Sequence, residues 1–192
     1  MSTEFPYRTR RTVKPAQMDG NREVSRELLL EMLEDAHWAP THGLTQPWRF
    51  HVFTGEGRER LADALQSIYD RTTPPAEVRP EKRAKLREGY LQAPVIIAVA
   101  AQVESGKVSR LDELCATACA VENLLLSAHQ RGVGSFWATP PVSCSPELVA
   151  WLGLDATHEA LGLVLLGYAK EGAVPTSTRV PLAERVSFHT TR

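Results

Sequence analysis

The sequence predicts a fold of the α/β or α+β class, with a central sheet and helices on its faces. In some segments apolar residues recur at helical spacing, in others they alternate or run continuously, and the two kinds of segment interleave along the chain. The 192 residues, 43% of them hydrophobic and 23% charged, are enough for one globular domain with a sizeable core. We therefore expect a single domain over residues 1–192.

The first half of the chain predicts two helices and one strand. Ser25 is a suitable N-cap for a helix over about 26–38, and a second helix is predicted over about 56–71. Between them, the alternating segment RFHVFT predicts a strand over 49–54. Residues 73–89 are polar and rich in proline, so they could form a mobile cap or a solvated helix.

The longest predicted helix covers residues 111–131. From Leu114 to Ala128 only Glu122 is charged, so this helix is apolar nearly all round. A helix of this kind must be buried. In a domain of this size, packing against a second subunit is one way to bury it.

Three further segments predict strands or extended chain. The continuous apolar run over 93–103 is typical of a central strand covered on both faces. Buried strands are also predicted over 133–139 and 160–169, with a short helix capped by Ser145 between them. The tail over 170–192 is polar and is predicted to be extended.

The composition argues against several classes of partner. The net charge of −1 gives no basic excess for nucleic acid or an anionic membrane surface. The start of the chain lacks the apolar run of a signal peptide, and the apolar stretches are too short to span a bilayer. We therefore predict a soluble, cytoplasmic protein that binds neither nucleic acid nor membrane.

The three cysteines form an odd number in a chain without an export signal, which argues against a disulfide framework. Cys115 and Cys119 would share one face of a helix, but further metal ligands at suitable spacing are lacking. We predict no metal site, and we expect buried free thiols that act as small hydrophobic groups.

Three segments carry residues that could bind a ligand. In TRRTVKP, Arg10 and Arg11 precede the hydroxyl of Thr12, and guanidinium groups suit phosphate, although basic runs near a terminus are also commonly solvated. THGLTQPWRF carries His42 and a rigid Pro-Trp pair, which could form a turn with an aromatic plug or a wall for a flat aromatic ligand. FWATPP ends a predicted strand, where ligands of sheet proteins often bind.

In their order along the chain, these segments resemble the nitroreductase-like FMN oxidoreductases. RRT is followed by a helix ending in APT, then by QPWRFHVF, GEGRERLADAL, APVIIAVAA, the long apolar helix, GVGSFWAT and LGLVLLGYA. The resemblance covers almost the whole chain and is greatest to the compact NAD(P)H nitroreductase subgroup. It implies an α+β fold, with a central, mainly antiparallel sheet flanked by helices, in an interlocked homodimer that binds FMN at its subunit interface.

The resemblance also implies a reaction. NAD(P)H would pass a hydride to the flavin N5, and a nitroaromatic, quinone or similar acceptor would then take the electrons in a ping-pong cycle. Because the cofactor carries this chemistry, no catalytic side chain is expected, and sequence motifs of a nucleophile or a metalloprotease are absent. A non-catalytic FMN-binding or flavin-delivery dimer is the alternative.

Carried over position by position, the resemblance implies two sets of contacts. The residues expected to contact FMN are Arg10, Arg11, Thr12, Trp38, His42, Trp137, Ala138, Thr139 and Arg179. The residues expected to contact NAD(P) are Ser127, Ala128, His129, Gln130, Arg131 and Gly132. Among these, Trp38 and His42 would reach the flavin that is bound mainly by the other subunit.

The chain departs from the larger family members at two places. Many of them carry asparagine two residues before Gln-Pro-Trp, where this chain has Leu44. They also place a Glu-Gly pair near the reactive edge of the flavin, where this chain reads WATPP. These departures concern substrate choice and redox tuning, whereas the phosphate-binding and strand-end segments are retained.

Overall fold

The structure is a computed structural model that describes residues 6–104, 106 and 108–190. Its middle layer is one antiparallel sheet in which the strands stand in the order β1-β2-β4-β3. The strands are β1 (Trp48–Phe53), β2 (Val95–Gln102), β3 (Gly134–Ala138) and β4 (His158–Gly167). The expected α+β class, with a central antiparallel sheet flanked by helices, is confirmed.

Six α-helices accompany the sheet in the described part of the chain. They are α1 (Pro6–Thr9), α2 (Arg26–His37), α3 (Glu56–Thr72), α4 (Pro80–Ala84), α5 (Arg110–Gln130) and α6 (Pro146–Trp151). A π-helical turn over Lys85–Gly89 continues α4. None of these helices is both long enough and apolar enough to cross a bilayer.

The two faces of the sheet carry different helices. On one face, α2 and α5 pack together and bury Leu29, Met32 and Leu124 against the sheet. Ser25 caps α2 as expected, because its Oγ accepts a hydrogen bond from the Leu28 N–H at 3.2 Å. The sheet therefore forms the centre of a three-layer core.

On the opposite face, α3 and α6 cover the sheet. Leu61, Leu65 and Ile68 of α3 are fully buried there, as their helical spacing predicts. Residues 73–89 form short turns together with α4, and Leu86 of the π-helical turn is buried in the same cluster. This segment is therefore a broken helix packed on α3, which agrees better with the helical than with the cap interpretation.

Helix α5 is buried on one side only. Ala120 and Leu124 are fully buried against the rest of the chain, whereas Leu111 is 67% exposed. The predicted burial of the thiols is wrong for the single chain, because Cys115 and Cys119 lie on the exposed side of α5 and the third thiol is also exposed. The physical reason is that positions four residues apart share one face, and here that face points away from the sheet.

The described part of the tail, residues 170–190, is mostly exposed and without regular structure, which agrees with the predicted polar, extended chain. Its one helical element is the turn Leu182–Glu184. Apolar side chains along it are exposed, and Phe188 is 86% exposed. The tail thus presents apolar surface that the single chain leaves uncovered.

Candidate functional site

The basic N-terminal segment lies along the outer edge of β3. Thr12 forms a parallel bridge with Ser135, and the N–H of Val13 donates to the Ser135 carbonyl at 3.0 Å. Gly134 permits this approach, because a Cβ at that position would lie 2.8 Å from the Val13 Cβ. The backbone therefore holds Arg10 and the residues that follow it beside β3.

Positive charge exceeds negative charge in this segment. The Arg10 Nε lies 3.9 Å from a carboxylate oxygen of Glu122, which is a loose ion pair. Arg11 donates to the carbonyls of Arg8 and Arg10 at 2.8 Å, and no carboxylate of the described residues pairs with it. Two guanidinium groups with one distant acid form a donor set that fits an anionic group such as phosphate.

His129, near the end of α5, faces this same segment. Its Nε2 lies 2.8 Å from the Thr9 Oγ1. Burial lowers the pKa of His129, and the positive charges of Arg10 and Arg11 lower it further. The neutral ring is thus favoured next to the two cations.

Two other members of the segment 127–132 tie α5 to α2. The Arg131 guanidinium lies 2.8 Å from the Asp35 carboxylate and 3.3 Å from that of Glu31. The Ser127 hydroxyl donates to Asp35 at 2.7 Å. This network fixes the distance between the two helices and occupies the polar atoms of both residues.

The remaining members of that segment differ in exposure. Ala128 is fully buried, so its side chain is a core contact, whereas Gln130 is exposed. Gly132 adopts φ +73° just after α5 ends and turns the chain toward β3, a conformation that glycine adopts without strain. His129 and Gln130 are therefore the members of this segment whose side chains reach the surface without a polar contact to α2 among the described residues.

The end of β3 is shaped by an irregularity in β4. The pairing of β2 with β4 shifts register between Val99 and Ala100, and the extra residue in β4 is Leu161. The Leu161 carbonyl accepts a hydrogen bond from the Trp137 indole N–H at 2.9 Å. Ala138 is buried and Thr139 is exposed, so Thr139 is the accessible side chain at the strand end.

The loop after α2 holds an unusual backbone. Gly43, Leu44 and Gln46 have φ values of +60°, +56° and +49°. The left-handed region favours glycine or asparagine and costs other residues roughly 1 kcal/mol. A loop with two non-glycine residues in this region must be held in place by its surroundings.

Two threonines supply that support. The Thr41 hydroxyl accepts from the Gln46 N–H at 3.1 Å, and the Thr45 hydroxyl donates to the buried Glu113 carboxylate at 2.6 Å. Trp48 is the expected aromatic plug, because it is buried and its indole N–H donates to the His37 Nδ1 at 3.0 Å. Trp48 and the two threonines together hold this loop in place, and with it the exposed side chains of Trp38 and His42.

Trp38 and His42 project from this loop region. Trp38 is 79% exposed, and its indole N–H donates to Glu34 at 3.1 Å. His42 lies 3.5 Å from the Asp112 carboxylate at the start of α5. Both residues thus lie on the surface of the chain, His42 at the beginning of α5 and Trp38 nearer its middle, where Asn123 donates to the Asp35 carbonyl at 3.3 Å.

His42 and the basic segment lie at different levels of α5. His42 contacts Asp112, whereas Arg10 pairs with Glu122 and Thr9 contacts His129. At about 1.5 Å per residue, the level of His42 is roughly 15 Å from that of Arg10 and roughly 25 Å from that of Thr9 along the helix. The structure therefore brings Arg10, Arg11, Thr12 and the end of β3 together, and leaves His42 at the other end of α5.

Arg179 lies in the extended tail. Its guanidinium donates to the Ser177 hydroxyl at 3.2 Å and to the Thr178 carbonyl at 2.9 Å, both within the tail. Its side chain is exposed to solvent. Its position relative to a cofactor would depend on how the tail packs in an assembly.

A cavity of about 640 Å³ opens next to the end of β3. One wall is formed by Pro140 and Pro141, which directly follow Thr139, and another by the broken helix that carries Lys85. Tyr90 also lines it, and burial raises the pKa of this phenol to about 12. The cavity thus combines aromatic and proline side chains with charged ones, Glu77, Lys82 and Glu147 among them, beside the strand end.

The sequence reasoning missed Glu113 and the bulge at Leu161. Glu113 is 1% exposed, although a carboxylate in a helix is normally solvated. A possible signal was its place one turn after the helix start, facing a threonine-rich loop. The one sequence signal of the bulge is Gly162. Its φ of +105° is a conformation that residues with a side chain rarely adopt.

These features define a protein of the nitroreductase fold with a basic segment docked on its sheet edge. The chain belongs to the nitroreductase family, since residues 7–168 match the description "Nitroreductase family". It is 31% identical over 156 residues to "Putative NAD(P)H nitroreductase YdjA" of Escherichia coli (strain K12), with 81% of this chain and 82% of that protein covered. The family assignment made from the sequence is confirmed.

Two solved structures are similar over nearly their full length. A nitroreductase-like family protein from Bacillus cereus shares 27% identity with a TM-score of 0.82, and all of both chains is covered. A "putative nitroreductase in complex with fmn" from Desulfovibrio desulfuricans shares 25% identity with a TM-score of 0.73, covering 97% of this chain and 96% of that one.

Proposed function

We propose that the protein is an FMN-dependent NAD(P)H oxidoreductase of the nitroreductase type that works as a homodimer. The observation that carries this proposal is the pair of guanidinium groups on Arg10 and Arg11, which lie beside β3. Their one acidic partner among the described residues is Glu122, which forms a loose ion pair with Arg10. A phosphate would complete this arrangement. In a member of the nitroreductase family, FMN is the phosphate-bearing molecule that the site best fits.

The position of His42 supports a dimer. It lies roughly 15 Å along α5 from Glu122, the partner of Arg10, and roughly 25 Å from His129, the partner of Thr9. This separation favours a flavin that two chains share. A two-fold axis that packs α5 antiparallel to its copy would place the start of one helix over the end of the other. The sites of one chain would then be completed by Trp38 and His42 of the other.

Uncovered apolar surface supports this assembly. Leu111, Cys115 and Cys119 form an exposed and weakly polar stripe on the side of α5 that faces away from the sheet. The tail carries exposed Phe188 and would add further apolar contact if it crossed to the second chain. Burial of both surfaces would make the dimer obligate and interlocked.

We assign the cofactor contacts as follows. Arg10 and Arg11 would hold the phosphate, and Thr12 would reach the ribityl chain. Trp137, Ala138 and Thr139 would line the ring system, with Ala138 contributing backbone atoms because its side chain is buried. Arg179 would join the phosphate group only if the tail folds back onto a site in the dimer. Ser127–Gly132 remain the proposed NAD(P) segment, in which Gln130 is the accessible side chain that does not face the basic segment.

The protein's own part in the reaction is binding and exclusion. When bound, FMN supplies the chemistry that takes a hydride from NAD(P)H and reduces a nitroaromatic, a quinone or a similar acceptor. The proline wall after Thr139 and the broken helix would orient the flat acceptor and keep water out. Because donor and acceptor would use the same pocket in turn, the kinetics would be ping-pong.

The visible absorption spectrum tests this proposal. Protein incubated with FMN and freed of excess ligand should be yellow, and anaerobic NADH or NADPH should bleach it within the time of one turnover. A nitroaromatic or a quinone should then restore the colour, and initial rates should give parallel double-reciprocal lines. Protein that binds FMN but is not bleached would be the non-catalytic flavin-binding dimer, and protein that stays colourless would contradict both functions.

A further inference from the structure

We propose that His129 belongs to the phosphate site and that it gains a proton when the phosphate of FMN binds. This inference rests on the proposed function, because it takes Arg10 and Arg11 as the phosphate ligands. It moves His129 out of the expected NAD(P) segment and gives the cofactor site a group that titrates near neutral pH.

The geometry places the His129 ring among the phosphate-binding residues. Its Nε2 lies 2.8 Å from the Thr9 Oγ1, and Thr9 directly precedes Arg10. The neighbours of His129 in the segment 127–132 point elsewhere, because Ser127 and Arg131 are engaged with Asp35 on α2. The ring therefore contacts the basic segment, whereas the rest of the α5 end contacts α2 or the core.

The charged groups around His129 come from two elements. The N-terminal segment supplies Arg10 and Arg11, whose positive charges oppose protonation of the ring. Helix α5 itself supplies Glu122, which is paired with Arg10, and Arg131, which is turned toward α2. In the proposed dimer, His42 of the second copy would also approach the flavin.

A bound phosphate reverses the electrostatic balance at the ring. Phosphate carries about −1.5 to −2 charges at pH 7 and would neutralise the two guanidinium groups that hold the ring neutral. The last turn of α5, where His129 lies, also favours a positive charge through the helix dipole. The protonated ring can still bond Thr9, because its Nε2–H would donate to the hydroxyl oxygen.

The consequence is a coupling between FMN affinity and pH. If the ring binds its proton more tightly in the complex, FMN affinity falls as pH rises between the free and bound pKa values, by up to about tenfold per pH unit. The phosphate of FMN has a second pKa of about 6, and its ionisation raises FMN affinity as pH rises. This ionisation is complete well above pH 6. The range from pH 7 to 8.5 therefore isolates the histidine.

Titration of the His129 ring by NMR tests the proposal directly. The ring signals are assigned by their loss in His129→Gln and are followed in the free protein, with riboflavin and with FMN. Riboflavin lacks the phosphate, so it is a matched control for all effects of the ring system. We expect the pKa of His129 to be at least one unit higher with FMN than with riboflavin, and equal values would overturn the inference.

Binding measurements supply a second readout. The amide of Gln in His129→Gln can replace Nε2 as the partner of Thr9 but cannot be protonated. Between pH 7 and 8.5 we expect FMN affinity to fall about twofold or more in the wild type and to stay constant in the variant. Riboflavin affinity and the KM for NAD(P)H should stay constant in both. An equal dependence of FMN affinity on pH in the two proteins would overturn the inference. A raised KM for NAD(P)H in His129→Gln at unchanged FMN affinity would do so too, and would assign His129 to the nicotinamide site. Failure of both proteins to bind FMN would instead refute the proposed function, and the inference with it.

Discussion

Gly134 and Val13 are in direct contact, and the contact leaves no room for a side chain on Gly134. A Cβ at residue 134 would lie 2.8 Å from both Cβ and Cγ2 of Val13, and 2.9 Å from the carbonyl oxygen of Gly167. This close approach lets the N–H of Val13 reach the Ser135 carbonyl. The position of the basic segment thus depends on one glycine at the start of β3.

Replacing Gly134 by alanine should displace the basic segment from β3. Overpacking of this kind typically costs about 1–3 kcal/mol of unfolding free energy, and FMN affinity should fall because Arg10 and Arg11 move with the segment. Urea unfolding and FMN titration measure the two effects. Gly57→Ala is the matched control, since a Cβ there meets only ordinary contacts at 3.8 Å or more. An unchanged FMN affinity in Gly134→Ala would show that this docking does not position the cofactor residues.

Removal of one guanidinium should weaken cofactor binding directly. Arg10→Ala is expected to reduce FMN affinity by about 1.5–3 kcal/mol, because a charge-assisted contact to phosphate is lost. Riboflavin affinity should change little. Arg83→Ala is a suitable control, because Arg83 pairs with Asp70 on the surface of α3. Equal losses for FMN and riboflavin would place Arg10 away from the phosphate.

Local periodicity was sufficient to predict the core elements. The predicted helices 56–71 and 111–131 agree within a residue with α3 and α5, and the buried face of α3 is the predicted one. β2 starts at Val95, two residues later than predicted, because Ala93 is still in the turn that follows Tyr90 and residue 94 is proline. Periodicity predicts which segment is buried. Pairing with neighbouring strands then determines where the strand begins and ends.

The candidate site depended on information that periodicity does not contain. The bridge of Thr12 to Ser135 joins residues far apart in sequence, and no spacing rule predicts it. An apolar helix such as α5 also cannot indicate which side meets its own sheet, so the exposure of Cys115 and Cys119 was not foreseen. Family resemblance supplied the site residues, and the structure shows which of them one chain can bring together.

The phenol of Tyr90 should make stability sensitive to alkaline pH. The pKa of Tyr90 is raised to about 12, above the usual value of about 10. Burial is the larger cause, and the nearby Cys144 thiolate is the smaller one. The neutral phenol is favoured in the folded state, so its contribution is complete below pH 10 and is lost as pH rises from 10 toward 12. The unfolding free energy of the wild type should therefore fall more steeply over pH 9.5–11 than that of Tyr90→Phe. If Tyr90→Phe and the wild type fall in parallel, and Tyr168→Phe does the same, the phenol of Tyr90 does not carry this dependence.

The strained loop offers a substitution that should raise the unfolding free energy. Leu44 has φ +56° and is 78% exposed, so its side chain contributes little packing within the chain while its backbone is unfavourable. Asparagine tolerates this conformation, and Leu44→Asn should raise the unfolding free energy by about 0.5–1 kcal/mol. The similarly exposed Leu182→Asn should change it by less than about 0.5 kcal/mol. A loss of stability in Leu44→Asn at a fixed protein concentration would indicate that the leucine is buried between subunits.

Complementation between two defective chains tests whether each site is shared. In the proposed dimer, Arg10 of one chain and His42 of the other serve the same flavin. A heterodimer of an Arg10→Ala chain and a His42→Ala chain should then hold one intact site and one doubly defective site. It should bind one FMN per dimer with nearly wild-type affinity, whereas both variant homodimers bind weakly.

The outcome differs sharply if both residues serve the flavin of their own chain. Each site of the heterodimer would then carry one defect, and no site would bind with wild-type affinity. Two affinity tags allow the heterodimer to be isolated after co-expression, and a doubly tagged wild-type dimer gives the reference of two FMN per dimer. His42 is suitable for this test because its side chain is exposed on the single chain, so its truncation leaves the core of that chain unchanged. Restoration of one strong site would establish that the second copy supplies His42 to the site that carries Arg10.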